Sequence, residues 1–141
     1  MNGFRYAAII GVVGWCSALV VLSAQGTPSP AGQPAADQAT RGKAAYIDNC
    51  SSCHQENLQG TNNSPPLTGD TFWTNWETYT ANNLLEQIRT TMPEDDPGKL
   101  ERQVYVDIIA YILRTNEVPL TGDLPTDADS LKKVIIKRKA P

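Results

Sequence analysis

The stretch Cys50-Ser51-Ser52-Cys53-His54 decides the fold, and its pattern is C-x-x-C-H. Two thiols at this spacing can each add to one vinyl group of the same porphyrin, and the histidine that follows is then held under the iron. The motif therefore predicts covalent attachment of a c-type haem through Cys50 and Cys53, with His54 as one axial ligand of the iron.

Two other kinds of site also use a C-x-x-C pair. A thioredoxin-like redox pair lies in a βαβ unit, but the residues that flank Cys50 show no strand pattern. A structural zinc site needs a second Cys or His pair, and the sequence has none outside this motif. Haem attachment is therefore favoured over a thiol-disulfide oxidoreductase and over a zinc site.

The second axial ligand has few candidates in this sequence. His54 is the single histidine, and Met92 is the single methionine apart from Met1. Because Pro93 disfavours helical geometry at Met92, a preceding helix ends there and a loop can direct the thioether at a metal. A thioether is a soft ligand, and His/Met ligation raises the reduction potential of a haem. We predict Met92 as the sixth ligand; core packing is the alternative role of a lone methionine.

The first 36 residues are expected to lie outside the folded domain. Residues 6–22 form an uncharged apolar run behind Arg5, and small residues follow it. This layout is typical of a secretory signal over residues 1–24, but the run also reaches the lower length limit of a membrane anchor. Both alternatives stay open. Residues 25–36, rich in Pro, Ala and Gly, are expected to form a flexible linker.

Charge is unevenly distributed along the 141-residue chain, whose formal net charge is −3. Residues 37–130 hold all fifteen acidic side chains and six basic ones, whereas residues 131–141 hold five basic side chains and no acidic one. The acidic body argues against a nucleic acid as partner. The basic tail, residues 137–141, is either a functional patch or a solubilising end.

Helical patterns occur at four places, namely residues 40–50, 82–91, 99–116 and 127–133. Thr40 is a candidate cap for the first helix, and Thr80 or Asn82 for the second. Gly42 inside the first helix costs about 1 kcal/mol relative to Ala, which a close helix crossing would explain. The third helix has the strongest apolar stripe. Residues 134–136 form a short apolar run that can lie against the body.

A proline-rich segment, residues 65–69, follows the motif and precedes an aromatic cluster. Its prolines stiffen a backbone whose carbonyls are free to accept hydrogen bonds. A histidine that ligates a metal usually needs such an acceptor for the N–H of its other ring nitrogen. Phe72 and Trp76 lie four residues apart on one helical face. They either face the porphyrin together or pack in the ordinary core.

Four strings in the sequence belong together: Gly42-x-x-x-Tyr46-x-x-x-Cys50-x-x-Cys53-His54, Pro65-x-Leu67-x-Gly69, Met92-Pro93 and Ile108-Ile109-Ala110-Tyr111. They resemble the class I c-type cytochromes over about residues 40–116. The resemblance implies an all-α, cytochrome c-like fold over residues 37–136, with three to four helices around one covalently bound haem.

The same resemblance implies roles for individual residues. The Pro65 carbonyl would accept from the ring N–H of His54, and Leu67 and Trp76 would pack against the haem. The aromatic ring of Tyr111 would cross the first helix at Gly42.

The resemblance also implies a function. It implies an electron carrier rather than an enzyme, a monomer with one haem c (iron), located in the periplasm or at the outer face of the cytoplasmic membrane. Its partners would be redox proteins: a dehydrogenase, a bc-type complex or a terminal oxidase. A possible membrane tether is residues 6–22.

Two narrower alternatives remain. The string Met92-Pro93-x-x-x-Pro97-Gly98-x-Leu100, followed by Tyr105-x-Asp107-Ile108-Ile109-Ala110-Tyr111, is similar to cytochrome modules that serve quinoprotein (PQQ) dehydrogenases. A five-coordinate haem sensor or peroxidase would need Met92 displaced from the iron. The chain also departs from the family pattern, because Glu101 stands where a capping Ser or Thr is usual and Glu117 where glycine is common.

Overall fold

The protein is described from a computed structural model, which covers residues 37–140. The predicted signal or anchor, the linker and Cys16 lie outside these residues. Within them the regular elements are helices, and two isolated β-bridges pair residues of the segments between and after the helices. The helices are α1 (Gln38–Asn49), α2 (Ser51–His54), α3 (Gly69–Trp76), α4 (Ala81–Thr91), α5 (Arg102–Thr115) and α6 (Ala128–Leu131). The all-α class is confirmed; six helices replace the predicted three to four because α2 and α6 are single turns.

Helix α1 begins before the predicted cap. Asp37 is the N-cap, and its Oδ1 accepts from the backbone N–H of Thr40 at 2.9 Å. Thr40 therefore lies inside the first turn, and the prediction that it caps α1 is wrong. Gln38 anchors this end, since its side chain exchanges two hydrogen bonds with the backbone of Leu124.

The two central helices also differ slightly from their predicted bounds. Helix α4 begins at Ala81, and Thr80 rather than Asn82 caps it in a reciprocal pair with Asn83. Such a capping box satisfies two backbone donors at once. Helix α5 begins at Arg102 instead of residue 99, and its N-cap Glu101 makes no side-chain cap hydrogen bond.

Helices α1 and α5 cross at Gly42, as predicted. A Cβ added at Gly42 would overlap the backbone carbonyl of Asp107, so only glycine allows this approach. One turn further along α1, the rings of Tyr46 and Tyr111 pack with centroids 5.5 Å apart. The crossing places the haem motif, which begins where α1 ends, beside the middle of α5.

The crossing also buries a charge that the sequence did not indicate. Asp107 is only 6% exposed. Its carboxylate accepts from Arg41 Nε at 3.0 Å and from Gln103 Nε2 at 2.6 Å. A buried charge is tolerated when it is paired and hydrogen-bonded, as this one is.

The chain after α5 packs back against the helices, and Ile136 within the predicted apolar run is fully buried.

None of the helices between residues 37 and 140 has the length and apolarity needed to cross a membrane.

Candidate functional site

One cavity brings the predicted site residues together. Its volume is about 1030 Å³, which is large for a small-molecule site. All seven predicted site residues line it: Cys50, Cys53, His54, Pro65, Leu67, Trp76 and Met92. They come from the two ends of α2, the loop after it, the end of α3 and the end of α4.

The two cysteines lie at the junction of α1 and α2. Cys50 is the C-cap of α1 and the N-cap of α2, and Cys53 lies three residues further, so a single helical turn puts both thiols on one side. Both thiols are free. Burial, followed by the nearby Cys53 thiol, raises the pKa of Cys50 to about 11, although Lys99 opposes the rise. The Cys50 thiol is therefore neutral at ordinary pH before any attachment.

His54 is oriented by the proline-rich loop. His54 is 7% exposed as a residue, and its ring Nδ1 lies 2.9 Å from the backbone oxygen of Pro65. Because a carbonyl can only accept, Nδ1 carries the proton and Nε2 keeps its lone pair for a metal. The loop passes close to itself at Gly60, where an added Cβ would overlap the backbone of Ser64. This close packing fixes the position of the Pro65 carbonyl.

Met92 directly follows α4 in an extended conformation. Its backbone N–H donates to Ile88 O at 2.7 Å, and its carbonyl accepts from the Tyr105 hydroxyl at 2.9 Å. The backbone is thus held from both α4 and α5 while the side chain lines the cavity. Sequence reasoning missed Tyr105, because nothing local marks a hydroxyl whose partner lies 13 residues away.

Asn116 was also missed. The helical pattern places it only at the end of the helix predicted over residues 99–116, but its amide bridges α5 to the loop near the haem motif. Nδ2 donates to Leu67 O at 2.9 Å, and the Gly69 N–H donates to Oδ1 at 3.2 Å. An asparagine at the end of a helix with a strong apolar stripe is the signal that could have found it, although its partner could not be identified from the local sequence.

The cavity wall between these groups is largely apolar. Six of its aliphatic and aromatic members come from three helices: Phe72 and Trp76 from α3, Leu84 and Ile88 from α4, and Ile108 and Ile112 from α5. Phe72 packs edge-on against Trp73 in the core and also lines the cavity, and its contact with the porphyrin stays a prediction. Two thiols, an imidazole with a free Nε2, a thioether and an apolar slot fit the chemistry of a c-type haem.

Comparisons with known proteins agree with this chemistry. The profile of the family described as "Cytochrome C oxidase, cbb3-type, subunit III" matches residues 37–112. A search of curated protein sequences gave no match.

Among solved structures, the chain is similar to a chain of the sulfane dehydrogenase SoxCD from Paracoccus pantotrophus, with a TM-score of 0.52 and 20% identity. The alignment covers 70% of this chain and 52% of that one, so this similarity shows the fold alone. The family profile spans more than half of the sequence and therefore shows the family to which the protein belongs. The protein belongs to the family of the cbb3-type cytochrome c oxidase subunit III and is a class I c-type cytochrome that binds haem c.

Proposed function

We propose that the protein is an electron carrier that moves one electron on a single haem c, bound covalently through Cys50 and Cys53, with His54 and Met92 as axial ligands. The observation that supports this is the placement of all four side chains on the wall of one cavity. A bound haem supplies a one-electron redox centre. Ligation from both sides leaves no open iron position for a substrate, so the protein is proposed to act as a carrier and not as an enzyme.

The residues of the chain have distinct tasks in this proposal. The Pro65 carbonyl orients the imidazole of His54 and makes it a better ligand. Leu67 and Trp76 pack at the edge of the slot and exclude water, which raises the reduction potential together with the thioether of Met92. The fixed backbone at Met92 argues against a five-coordinate sensor or peroxidase, since both its N–H and its carbonyl are bonded.

The proposal extends to location and partners. We infer an exported monomer in which residues 1–24 are the signal or anchor, 25–36 the linker, 37–136 the haem domain and 137–141 the basic tail. Haem attachment outside the cytoplasmic membrane, which the resemblance implies, agrees with the apolar run at residues 6–22. The partners are redox proteins, and the matching family and the similar solved structure, an oxidase subunit and a dehydrogenase, are of that kind.

A gel tests covalent attachment. Protein matured by a cytochrome c assembly system should keep haem-linked peroxidase staining after denaturation. The double variant Cys50→Ala/Cys53→Ala should lose the stain, whereas the matched control Cys16→Ala should keep it. Absence of staining in the wild type would contradict the proposal.

A visible spectrum tests the axial ligand. Met92→Ala should remove the weak charge-transfer band at the red edge of the ferric spectrum and lower the reduction potential, because a thioether ligand favours the ferrous state. Thr91→Ala, one residue earlier, is the control and should keep the band. An unchanged spectrum in Met92→Ala would assign the sixth position to another group.

A further inference from the structure

The segment 134–138, here called the C-terminal strap, lies beyond the region that the family profile matches. It runs antiparallel to the connection between α3 and α4, with an isolated β-bridge between Thr80 and Ile135. Three backbone hydrogen bonds join the two segments: Thr78 N to Ile136 O at 2.9 Å, Ile136 N to Tyr79 O at 2.8 Å, and Ala81 N to Val134 O at 2.8 Å. The last of these satisfies an N–H in the first turn of α4.

Alternate side chains of the strap face the body. Ile136 is fully buried in the core. The guanidinium carbon of Arg138 lies 4.8 Å from the centroid of the Trp73 ring, and its Nε lies 3.5 Å from Glu77 Oε2. The Arg138 side chain is still 53% exposed, and Lys137, between the two residues, is also exposed. The strap therefore holds both the last turn of α3 and the residue that follows α3.

The connection that the strap holds is strained. Thr78 has a φ of +74°, a conformation that is unfavourable for a β-branched residue. Residues in such conformations persist where the surrounding structure fixes them more than once, and they cluster at functional sites. The N–H of Thr78 itself donates to the strap. The strap is thus the element that keeps this turn in place.

The connection in turn controls the wall of the haem cavity. Trp76 and Tyr79, on either side of the strained turn, both line the cavity, with ring centroids 6.0 Å apart. Helix α4 begins two residues after Tyr79 and ends at Thr91, directly before Met92. A shift of the connection would therefore move both the aromatic wall and the helix that carries the proposed ligand.

We propose that the C-terminal strap is a positioning element of the haem site, with Ile136 and Arg138 as its positioning residues. They fix the turn at Thr78 so that Trp76 stays against the haem and Met92 stays on the iron. This role rests on the proposed His54 and Met92 ligation. It assigns a function to part of the basic end of the chain that neither the family profile nor the sequence explains.

The test compares four full-length holoproteins: wild type, Arg138→Gln, Arg138→Lys and Lys137→Gln. Arg138→Gln removes the cation and its stacking on Trp73, Arg138→Lys keeps the charge, and Lys137→Gln makes the same charge change one residue earlier on the exposed side. For each, the ferric charge-transfer band of methionine ligation, the far-ultraviolet helix signal and the midpoint potential are measured, the first two as a function of temperature.

We expect Arg138→Gln to lose the methionine band at a temperature where its helix signal is still that of the folded protein, and to have a lower midpoint potential than wild type. Lys137→Gln should match wild type, and Arg138→Lys should lie between the two. A purely structural role would make the band and the helix signal disappear together.

Joint loss of the band and the helix signal in Arg138→Gln would overturn the proposal, and so would two further results, which are distinguishable from each other. In the first result, the wild type shows the methionine band, and Arg138→Gln and Lys137→Gln lose it at the same temperature. This result contradicts the role of the strap but leaves the proposed ligation intact. A wild type without the band removes the proposed ligation and the role of the strap with it.

Discussion

Gly42 is a residue whose single missing methyl group allows two helices to meet. Replacing it with Ala should lower the free energy of unfolding by about 1–3 kcal/mol, because the new Cβ overlaps the backbone carbonyl of Asp107 and the helices must separate. Helix propensity alone predicts the opposite sign, a gain of about 1 kcal/mol. Denaturant unfolding of the holoprotein measures the difference.

Gly122 supplies the matched control for that substitution. A Cβ added there meets nothing within 4 Å, so Gly122→Ala should leave the free energy of unfolding nearly unchanged. A Gly42→Ala variant as stable as Gly122→Ala would show that the two helices do not need the close approach.

Glu117 illustrates a residue that the fold accepts at a cost. It follows the C-cap of α5 with a φ of +56°, where glycine is usual. Its N–H donates to Arg114 O, and the Val118 N–H donates to Leu113 O, which together form a Schellman motif. Glu117→Gly should therefore raise the free energy of unfolding by about 0.5–1 kcal/mol, after the entropy cost of glycine is subtracted.

The Glu117→Ala variant separates backbone strain from side-chain effects. It removes the carboxylate but keeps the unfavourable φ, so thermal unfolding should show no gain over wild type. Equal stabilisation by Ala and Gly would mean that the side chain, and not the backbone conformation, is responsible.

At the scale of the elements, helix α1 depends on one charged cap. The backbone N–H of Thr40 and the guanidinium of Arg114 both stabilise the Asp37 carboxylate and lower its pKa below the ordinary value of 3.8. A lowered pKa contributes stability that is fully present above pH 3.8 and is lost as the pH falls through the folded-state pKa. The cap should therefore weaken only in acid.

The variant Asp37→Asn tests this dependence, because asparagine still caps a helix but does not titrate. The difference in unfolding free energy between wild type and variant should be largest above pH 4 and should shrink as the pH falls below 3.8. Denaturant unfolding from pH 7 to pH 2.5 measures it. A difference that stays constant over this range would contradict the pKa assignment.

Helix boundaries show how far local sequence signals reach. The reciprocal cap of Thr80 and Asn83 is a local pattern, and Thr80 was one of two candidates named in advance. Asp37 and Thr40 are both good capping residues, and Asp37, the one that caps α1, also pairs with Arg114, which lies 77 residues away. Local patterns therefore predict that an element exists, but they leave more than one candidate for its first residue.

The haem site likewise contains residues that local sequence patterns predict and residues whose roles depend on distant partners. The motif spacing and the count of metal-binding side chains predicted Cys50, Cys53, His54 and Met92 before any fold was known, since the chemistry allows few other choices. The family resemblance also implied one support, the Pro65 carbonyl that accepts from His54, but the other supports could not be predicted. Tyr105 and Asn116 act through backbone carbonyls, and every residue type offers the same carbonyl, so no side-chain pattern marks the partner.

At the scale of the whole molecule, acidic side chains lie at the wall of the haem cavity, whereas the C-terminal end of the chain is basic. The mouth of the cavity is here the exposed part of its wall at Glu94 and Asp95. Glu94 and Asp95 follow the proposed ligand Met92, are exposed and line the cavity, whereas Asp96 is exposed but is not part of the lining. Lys99 offsets part of this charge, with its Nζ 3.7 Å from Asp95 Oδ2. If electrons leave through this mouth, a basic partner surface should be attracted to it.

Small redox reagents of opposite charge test this steering without a known partner. Oxidation of the ferrous protein by tris(phenanthroline)cobalt(III), a cation, should slow as salt is added, because the Debye length falls from about 30 Å at 0.01 M to about 10 Å at 0.1 M. Oxidation by ferricyanide, an anion, should instead speed up over the same range. Stopped-flow absorbance measures both rates.

The double variant Glu94→Gln/Asp95→Asn should flatten both salt dependences, because it removes two charges at the mouth. The control Asp123→Asn/Asp129→Asn changes the net charge equally, but neither residue lines the cavity. It should keep more of the wild-type slope, since screening weakens charges that lie further from the reacting centre. Equal slopes in the two double variants would show that net charge alone steers the reagents, and that the carboxylates after Met92 have no special role in docking.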